Sequence, residues 1–251
     1  MPHGGEKAVM DVLVVGAGQM GRWLGSTLDP IASITYLDRD EEIAVEAAAM
    51  GAATAVTAGI AVDVVAIAVP ISATSSVLEA YAPFAREAIV DVTGQMQSPL
   101  SVMREVADGR ERMSLHPLFA PHAAPGRIAT VIDADGPHVQ MLCEQLGEAG
   151  NELVETDPVT HDRSMRTIQG AAHAAIFAYG LAAEEVPPEL HTPVSETLEG
   201  LLARVTEGDP SVYREIQQRF DGIAALGAAA DQMAADPTAI DVLYDRPERG
   251  E

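Results

Sequence analysis

Residues 12–21 read Val-Leu-Val-Val-Gly-Ala-Gly-Gln-Met-Gly, and this stretch decides the fold of the first half of the chain. Its apolar start predicts a short buried strand, and the spacing Gly16-x-Gly18-x-x-Gly21 follows directly. Gly16 permits a tight turn, Gly18 lets a pyrophosphate approach the backbone, and Gly21 lets the next helix pack closely on the strand. The N–H groups at the start of that helix attract the same anion. The stretch therefore predicts a dinucleotide site with the turn residues Gly16, Gly18, Gln19, Met20 and Gly21.

Alternating strands and helices continue to about residue 150. Short runs rich in β-branched residues alternate with amphipathic stretches, a pattern typical of a parallel sheet covered by helices on both faces. The predicted strands are 11–15, 33–37, 63–69, 88–92 and 128–132, with 111–116 as a further candidate. We therefore expect a Rossmann-like, doubly wound, mainly parallel sheet in a first domain of residues 1–156.

The remaining residues, 157–251, predict an all-α helical domain. Alanine-rich helical stretches cover 160–185, 194–206 and 209–235, and proline-containing segments separate them. The apolar faces of these helices exceed what one small domain can cover by itself. We therefore expect a homodimer built on the C-terminal helices.

The choice of dinucleotide depends on the end of the second strand. Asp38 lies 22 residues after Gly16, where a carboxylate can accept hydrogen bonds from a ribose 2′-hydroxyl and would repel a 2′-phosphate. We therefore favour NAD, while the neighbouring Arg39 keeps NADP open because an arginine at this site can hold a 2′-phosphate. Pro70 ends the strand of 63–69 and is expected near the cofactor, with a simple strand terminator as the alternative.

The composition excludes several classes of partner. The chain has 38 acidic and 15 basic residues, a formal net charge of −23, so it repels nucleic-acid backbones and anionic membrane surfaces. Without a clustered acidic run, this charge indicates a solvated coat suited to concentrated salt, and we predict a halophilic protein. The single cysteine, Cys143, excludes an internal disulfide and, with no long apolar segment, favours a cytoplasmic location. No metal site is predicted.

A histidine at residues 114–121, Ser-Leu-His-Pro-Leu-Phe-Ala-Pro, is the candidate for chemistry. His116 ends the candidate strand, and the carboxyl ends of strands in this architecture open onto the cofactor crevice. Pro117 and Pro121 restrict the following loop. A neutral imidazole there is a suitable proton acceptor for an alcohol undergoing oxidation.

The helical stretch of residues 161–180 supplies three more polar side chains. Gln169 and His173 are four residues apart and therefore share a helix face. His173 lies among alanines, so its ring requires a partner if buried. His161 is interpreted as a helix-start residue only.

These motifs together resemble the prephenate dehydrogenase family. Residues 115–121, Leu-His-Pro-Leu-Phe-Ala-Pro, resemble its His-Pro-x-Phe-Gly-Pro motif, and residues 161–180 resemble its Glu-His-Asp…Gln…His helix. The segments 68–70, 91–100 and 203–217 follow in family order. The resemblance implies a Rossmann domain with a helical dimer-forming domain, and NAD-dependent oxidative decarboxylation of prephenate to 4-hydroxyphenylpyruvate in tyrosine biosynthesis. It also implies that His116 is the catalytic histidine, that His173 and Gln169 line the substrate pocket, and that Arg204 binds a substrate carboxylate.

Two positions depart from the family pattern. Gly94-Gln95-Met96 stands where many members have Ser-Val-Lys, so the serine that assists the histidine is missing and Thr93 is its candidate substitute. Ala120 replaces the glycine of the histidine loop. Arogenate dehydrogenase, another NAD(P)-dependent dehydrogenase or reductase with a helical dimer domain, and a non-catalytic NAD-binding sensor remain alternatives at this point.

Overall fold

The computed structural model describes residues 10–51 and 53–245. The chain divides into two compact units, Met1–Asp162 and Arg163–Glu251. This boundary falls later in the chain than residue 156, inside helix α6 (Pro158–Met165), so the His161-Asp162 pair belongs to the first unit.

The first unit contains one eight-stranded sheet. Its strands are β1 (Met10–Val15), β2 (Ala32–Leu37), β3 (Thr54–Ala55), β4 (Val62–Ile67), β5 (Ala85–Val92), β6 (Glu111–Pro117), β7 (Arg127–Ala134) and β8 (Glu152–Glu155), in the spatial order β3-β2-β1-β4-β5-β6-β7-β8. The pairing of β6 with β7 is antiparallel and the other pairings are parallel. The chain adds β2 and β3 on one side of β1 and then crosses to add β4 on the other side. The topological switch point therefore lies between β1 and β4, next to the glycine turn that follows β1.

Five helices cover the two faces of this sheet. They are α1 (Gln19–Leu28), α2 (Glu41–Ala49), α3 (Ile71–Tyr81), α4 (Gln97–Val106) and α5 (Pro137–Glu148). Val12 and Val14 of β1 belong to one apolar cluster, whereas Leu13 and Val15 belong to the other. Successive side chains of a strand point to opposite faces, so a strand buried on both sides must be apolar throughout. This explains the continuous apolar run of residues 12–15.

The second unit is helical. After α6 come a π-helical turn (Arg166–Ala171), α7 (Ala172–Ala182), α8 (Pro193–Thr206), α9 (Pro210–Phe220), α10 (Gly222–Ala235) and a 3-10 helix (Pro237–Leu243). Thr192 caps α8 by accepting a hydrogen bond from the N–H of Ser195, and Asp209 caps α9 by accepting one from Ser211. Both caps directly precede a proline at the first helical position, where its missing N–H costs nothing.

Two of the predicted helices are wrong in detail. The continuous helix over 160–185 is interrupted by the π-helical turn, and the helix over 209–235 is broken at Asp221, whose φ of 51° is left-handed. The prediction also missed β3 and β8, since a two-residue strand and a four-residue edge strand carry little periodic signal. The fold class itself, a Rossmann-like sheet followed by a helical region, is confirmed. None of the helices formed by the described residues is long and apolar enough to cross a membrane.

Candidate active site

The glycine turn has the geometry that its sequence predicts. Gly16 has a φ of +99°, and a Cβ there would overlap the carbonyl oxygen of Ala68 at the end of β4. A Cβ on Gly21 would overlap the carbonyl oxygen of Gly16, whereas a Cβ on Gly18 would meet nothing within 4 Å. The first and third glycines are therefore required by packing, and the second leaves an exposed backbone at the start of α1. This cradle fits a pyrophosphate.

The carboxylate of Asp38 supports this turn from the end of β2. Its Oδ2 accepts a hydrogen bond from the N–H of Ala17 at 2.8 Å, and its Oδ1 accepts one from Asp40 at 3.0 Å. Each carboxylate oxygen retains a second lone pair for a ribose hydroxyl. Gln19 and Arg39 are exposed and Met20 is half-buried, so the site has both the acidic and the basic group that the sequence predicts.

Three strand ends connect the turn to the candidate histidine. Gly16 contacts the end of β4, which continues through the exposed Pro70 into Ile71. A Cβ built on Gly94, just after β5, would lie 3.4 Å from Cδ1 of Ile71 and 3.6 Å from Nε2 of His116. The carboxyl edge of the sheet therefore brings the glycine turn, Gly94 and His116 onto one continuous surface.

His116 is the next-to-last residue of β6, and its side chain is only 7% exposed. Its Nδ1 lies 2.9 Å from Nε2 of His161, and the two rings meet edge to face. Burial lowers the pKa of His116 to about 3, and the neighbouring His161 acts in the same direction while Asp162 opposes it. The ring is therefore neutral throughout the physiological range of pH, as a hydrogen-bond acceptor for an alcohol must be.

His161 and Asp162 were missed as site residues by the sequence analysis. Nδ1 of His161 lies 2.8 Å from Oδ1 of Asp162, and both side chains are buried. The same carboxylate accepts hydrogen bonds from the backbone N–H groups of Met96 and Gln97 at 3.0 and 3.2 Å. Only the fold brings the start of α6 to the ends of β5 and β6. The available signals were the adjacent His-Asp dipeptide at a helix start and its resemblance to the family's Glu-His-Asp motif.

Thr93 occupies a buried turn after β5. Its Oγ1 lies 2.6 Å from Oδ1 of Asp91 and 3.0 Å from the carbonyl oxygen of Gln95. These contacts direct the hydroxyl of Thr93 into the turn. The assignment of Thr93 as a substitute for the missing serine stays a prediction. Where many family members have that serine, this chain has Gly94, which carries no side chain. A Cβ built at this position would lie 3.6 Å from Nε2 of His116.

The residues predicted to bind substrate lie in the helical unit. Gln169 lies in the π-helical turn and is half-buried. His173 lies on α7, packs edge to face on Tyr213 with ring centroids 5.1 Å apart, and has a pKa lowered by burial. Its Nδ1 is buried without a hydrogen-bond partner among the described residues. Arg204 is exposed in the last turn of α8.

No group of three or more His, Cys, Asp or Glu side chains among residues 10–51 and 53–245 is placed to hold a metal ion. The site instead combines a dinucleotide-type glycine turn with a neutral proton acceptor at the same edge of the sheet. This is the organisation of a nucleotide-dependent dehydrogenase.

Comparisons with known proteins identify the family. A family model described as the prephenate dehydrogenase nucleotide-binding domain matches residues 29–131. The chain is 32% identical to the 4-amino-4-deoxyprephenate dehydrogenase of Streptomyces pristinaespiralis, over 87% of this chain and 80% of that protein. It is 30% identical to the T-protein of Enterobacter agglomerans, over 86% of this chain but only 58% of that protein. The chain belongs to the prephenate dehydrogenase family, and it is an oxidoreductase.

A solved structure has the same fold. The crystal structure of prephenate dehydrogenase from A. aeolicus, in complex with hydroxyphenyl propionate and NAD+, superposes with a TM-score of 0.72. The match covers 96% of this chain and 93% of that one at 14% sequence identity. This similarity confirms the architecture of the chain.

Proposed function

We propose that the protein is an NAD-dependent dehydrogenase that converts prephenate to 4-hydroxyphenylpyruvate with loss of carbon dioxide. The observation that carries this proposal is the buried, neutral His116 at the carboxyl end of β6, with Nδ1 held by His161. Nδ1 faces His161, and we infer that the other ring nitrogen, Nε2, accepts the proton of the substrate hydroxyl.

The reaction needs a proton acceptor and an electron acceptor. NAD+ held at the glycine turn would supply the acceptor for the hydride of the ring carbon that bears the hydroxyl group. His116 accepts the hydroxyl proton at Nε2 as this carbon becomes a carbonyl carbon. Loss of the ring carboxylate as carbon dioxide then returns its electron pair to the ring, which becomes aromatic. The gain of aromaticity supplies the driving force.

The glycine turn and Asp38 support NAD as the cofactor. The exposed backbone at Gly18 and the start of α1 would hold the pyrophosphate, and the Asp38 carboxylate would accept hydrogen bonds from the ribose hydroxyls. Arg39 keeps NADP as the alternative, so both cofactors belong in the assay.

The helical unit is proposed to supply the groups that bind substrate. By resemblance to the family, Arg204 would bind a carboxylate of the substrate, and His173 and Gln169 would line its pocket. A dianionic substrate approaching a chain of net charge −23 needs local positive charge. The guanidinium of Arg204, which forms no ion pair among the described residues, could meet that need.

An absorbance assay at 340 nm tests the proposal. Wild-type protein with prephenate and NAD+ is expected to form NADH, and His116→Asn is expected to lower turnover by about 10²–10⁴-fold, the range for a lost general base. His122→Asn is the matched control, because His122 is exposed in the loop after β6. Near-full activity of His116→Asn would refute the role of His116. Cofactor binding without turnover would favour a non-catalytic sensor.

A second candidate substrate is 4-amino-4-deoxyprephenate. The 32% identity to a protein of that name favours it. Arogenate, with an amino group on the side chain, is the third substrate to compare. Ratios of kcat/KM for the three substrates decide among them, and a higher value for either competitor would replace prephenate in the proposal.

We also propose that the protein forms a homodimer through its helical unit. Large apolar side chains of this unit are exposed in the single chain, among them Leu181 (91%), Val194 (70%) and Ile223 (62%). An apolar groove of about 790 Å³ lies between α7, α8, α9 and the start of α10, lined by Phe177, Leu202 and Val205 among others. Contiguous apolar surface of this kind is typical of an interface.

A further inference from the structure

Asp162, His161 and His116 form a continuous chain of hydrogen bonds inside the first unit. Oδ1 of Asp162 lies 2.8 Å from Nδ1 of His161, and Nε2 of His161 lies 2.9 Å from Nδ1 of His116. The exposed fractions of the three residues are 7%, 3% and 7%, so water does not compete for these bonds. We refer to these three residues as the His–His–Asp chain.

The carboxylate at one end determines where every proton in this chain sits. Although burial opposes ionisation, His161 and the N–H groups of Met96 and Gln97 hold the pKa of Asp162 below its ordinary value. An ionised carboxylate only accepts hydrogen bonds, so Nδ1 of His161 carries a proton. When His161 and His116 are both neutral, Nε2 of His161 is the acceptor and Nδ1 of His116 is the donor. In that arrangement His116 adopts the tautomer whose Nε2 has a lone pair.

We propose that His161, oriented by Asp162, is a positioning residue that fixes this tautomer of His116 and takes up the Nδ1 proton of His116 when Nε2 of His116 receives the substrate proton. The inference rests on the proposed function, since it concerns the same hydroxyl proton. It adds to that function a role for two residues on α6, His161 and Asp162, to which the sequence analysis assigned none.

The proton balance of the reaction supports this role. As the substrate hydroxyl proton moves to Nε2 of His116, the Nδ1 proton of His116 moves to Nε2 of His161. The positive charge then lies on His161, in contact with the carboxylate of Asp162, rather than on His116, whose environment disfavours charge. Prephenate, a dianion, loses a hydride and carbon dioxide to give the 4-hydroxyphenylpyruvate monoanion, so no net proton is consumed. The same path in reverse returns the proton to the phenolate oxygen.

Two substitutions at position 161 separate positioning from proton uptake. His161→Gln places a carbonyl oxygen that can accept the N–H of His116 but cannot take a proton at neutral pH. His161→Leu has neither property. We expect kcat to fall about tenfold in His161→Gln and about 10²–10³-fold in His161→Leu, each with little change in KM for NAD+. His122→Gln is the matched control and should leave kcat unchanged.

Nitrogen-15 NMR of the histidine rings tests the same inference without substrate. We expect His116 to carry its proton on Nδ1 in the wild type and in His161→Gln, and to change its tautomer population in His161→Leu. Thermal unfolding of each variant reports whether it folds. An Nε2-protonated His116 in the folded wild type would overturn the inference, as would a folded His161→Leu variant with the kcat of His122→Gln.

The two measurements distinguish this inference from the proposed function. If the expected tautomer is present but none of the three substrates is oxidised, the proposed function is wrong and the positioning by His161 stands. If prephenate is oxidised but the substitutions at 161 change neither tautomer nor kcat, the positioning role is wrong and the proposed function stands.

Discussion

At the scale of single residues, burial decides the chemistry of this site more than residue type does. An exposed histidine is half protonated near pH 6.5, whereas His116 is held neutral by its surroundings. Asp91, two residues before Thr93, is fully buried, and for a carboxyl group burial favours the protonated, uncharged form. Burial raises its pKa to about 7, against the lowering effect of its contacts with Thr93.

The geometry around Asp91 agrees with a protonated carboxyl group. The single hydroxyl proton of Thr93 faces two acceptors, Oδ1 of Asp91 and the carbonyl oxygen of Gln95. Oδ1 of Asp91 also accepts the backbone N–H of Thr93 at 3.2 Å, whereas Oδ2 is buried without a hydrogen-bond partner among the described residues. Oδ2 is therefore the oxygen that would carry the proton.

Asp91→Asn should therefore change how stability depends on pH. The folded wild type binds a proton at Asp91 between about pH 4 and 7 that the unfolded chain releases, so this group's contribution to stability falls as pH rises through that window. An asparagine does not ionise, so the variant should gain roughly 2–3 kcal/mol relative to the wild type between pH 5 and pH 8. Chemical denaturation at both pH values, in constant salt, measures this difference.

The difference between variant and wild type is the useful quantity here. The lowered pKa of His116 makes stability fall as pH drops from about 6.5 towards 3, but it does so in both proteins. Asp231→Asn, at an exposed position on α10, serves as the control. If the difference in the free energy of unfolding between the wild type and Asp91→Asn stays constant with pH, Asp91 is not protonated in the folded chain.

At the scale of elements, the π-helical turn of the helical unit depends on a close contact between two glycines. A Cβ on Gly222, at the start of α10, would overlap the backbone of Gly170 in the π-helical turn. The carbonyl oxygen of Gly170 accepts a hydrogen bond from Nε2 of Gln217 at 3.0 Å, so α9 also contacts this turn. The break at Asp221 directs α10 into that contact, and π-helical turns of this kind recur at functional sites.

Alanine substitutions at two glycines of α10 test this contact. Gly222→Ala should lower the free energy of unfolding by about 1–3 kcal/mol, because the methyl group displaces backbone that cannot rotate away. Gly227→Ala, in the same helix with nothing within 4 Å of its Cβ, should raise it by about 0.5–1 kcal/mol. Urea denaturation of the full chain compares the two. Stabilisation by both substitutions would show that the glycine contact is not required.

At the scale of the whole molecule, net charge and exposed apolar surface have opposite effects on the association of two chains. Two chains that each carry −23 repel, and at low salt this repulsion opposes the proposed association through the helical unit. At about 1 M salt the screening length is only about 3 Å, so the repulsion is largely removed. Association through apolar surface should therefore strengthen as salt is added.

Light scattering across a KCl series measures this balance. We expect a mass of twice the 26.3 kDa chain at high salt, with dissociation as salt is lowered. Leu181→Glu should favour the monomer, whereas Val45→Glu, at an exposed apolar position of α2, should not. A wild-type monomer at high salt would rule out the homodimer.

The sequence by itself determined the class of fold, the glycine turn and the position of His116. These features are local: strand periodicity, glycine spacing and a proline-bracketed histidine are each visible within about ten residues. The antiparallel orientation of β7, the edge strand β8 and the π-helical turn depend on packing partners distant in the chain, so the sequence pattern did not contain them.

Only the tertiary structure decided which groups meet His116. Residues 94, 116 and 161 are far apart in the sequence, and their approach follows from the order β4-β5-β6 and from the return of α6 to that sheet edge. The protonation of Asp91, His116 and Asp162 was likewise decided there. A pKa depends on desolvation and on charges within a few ångströms, and neither quantity exists until the chain has folded.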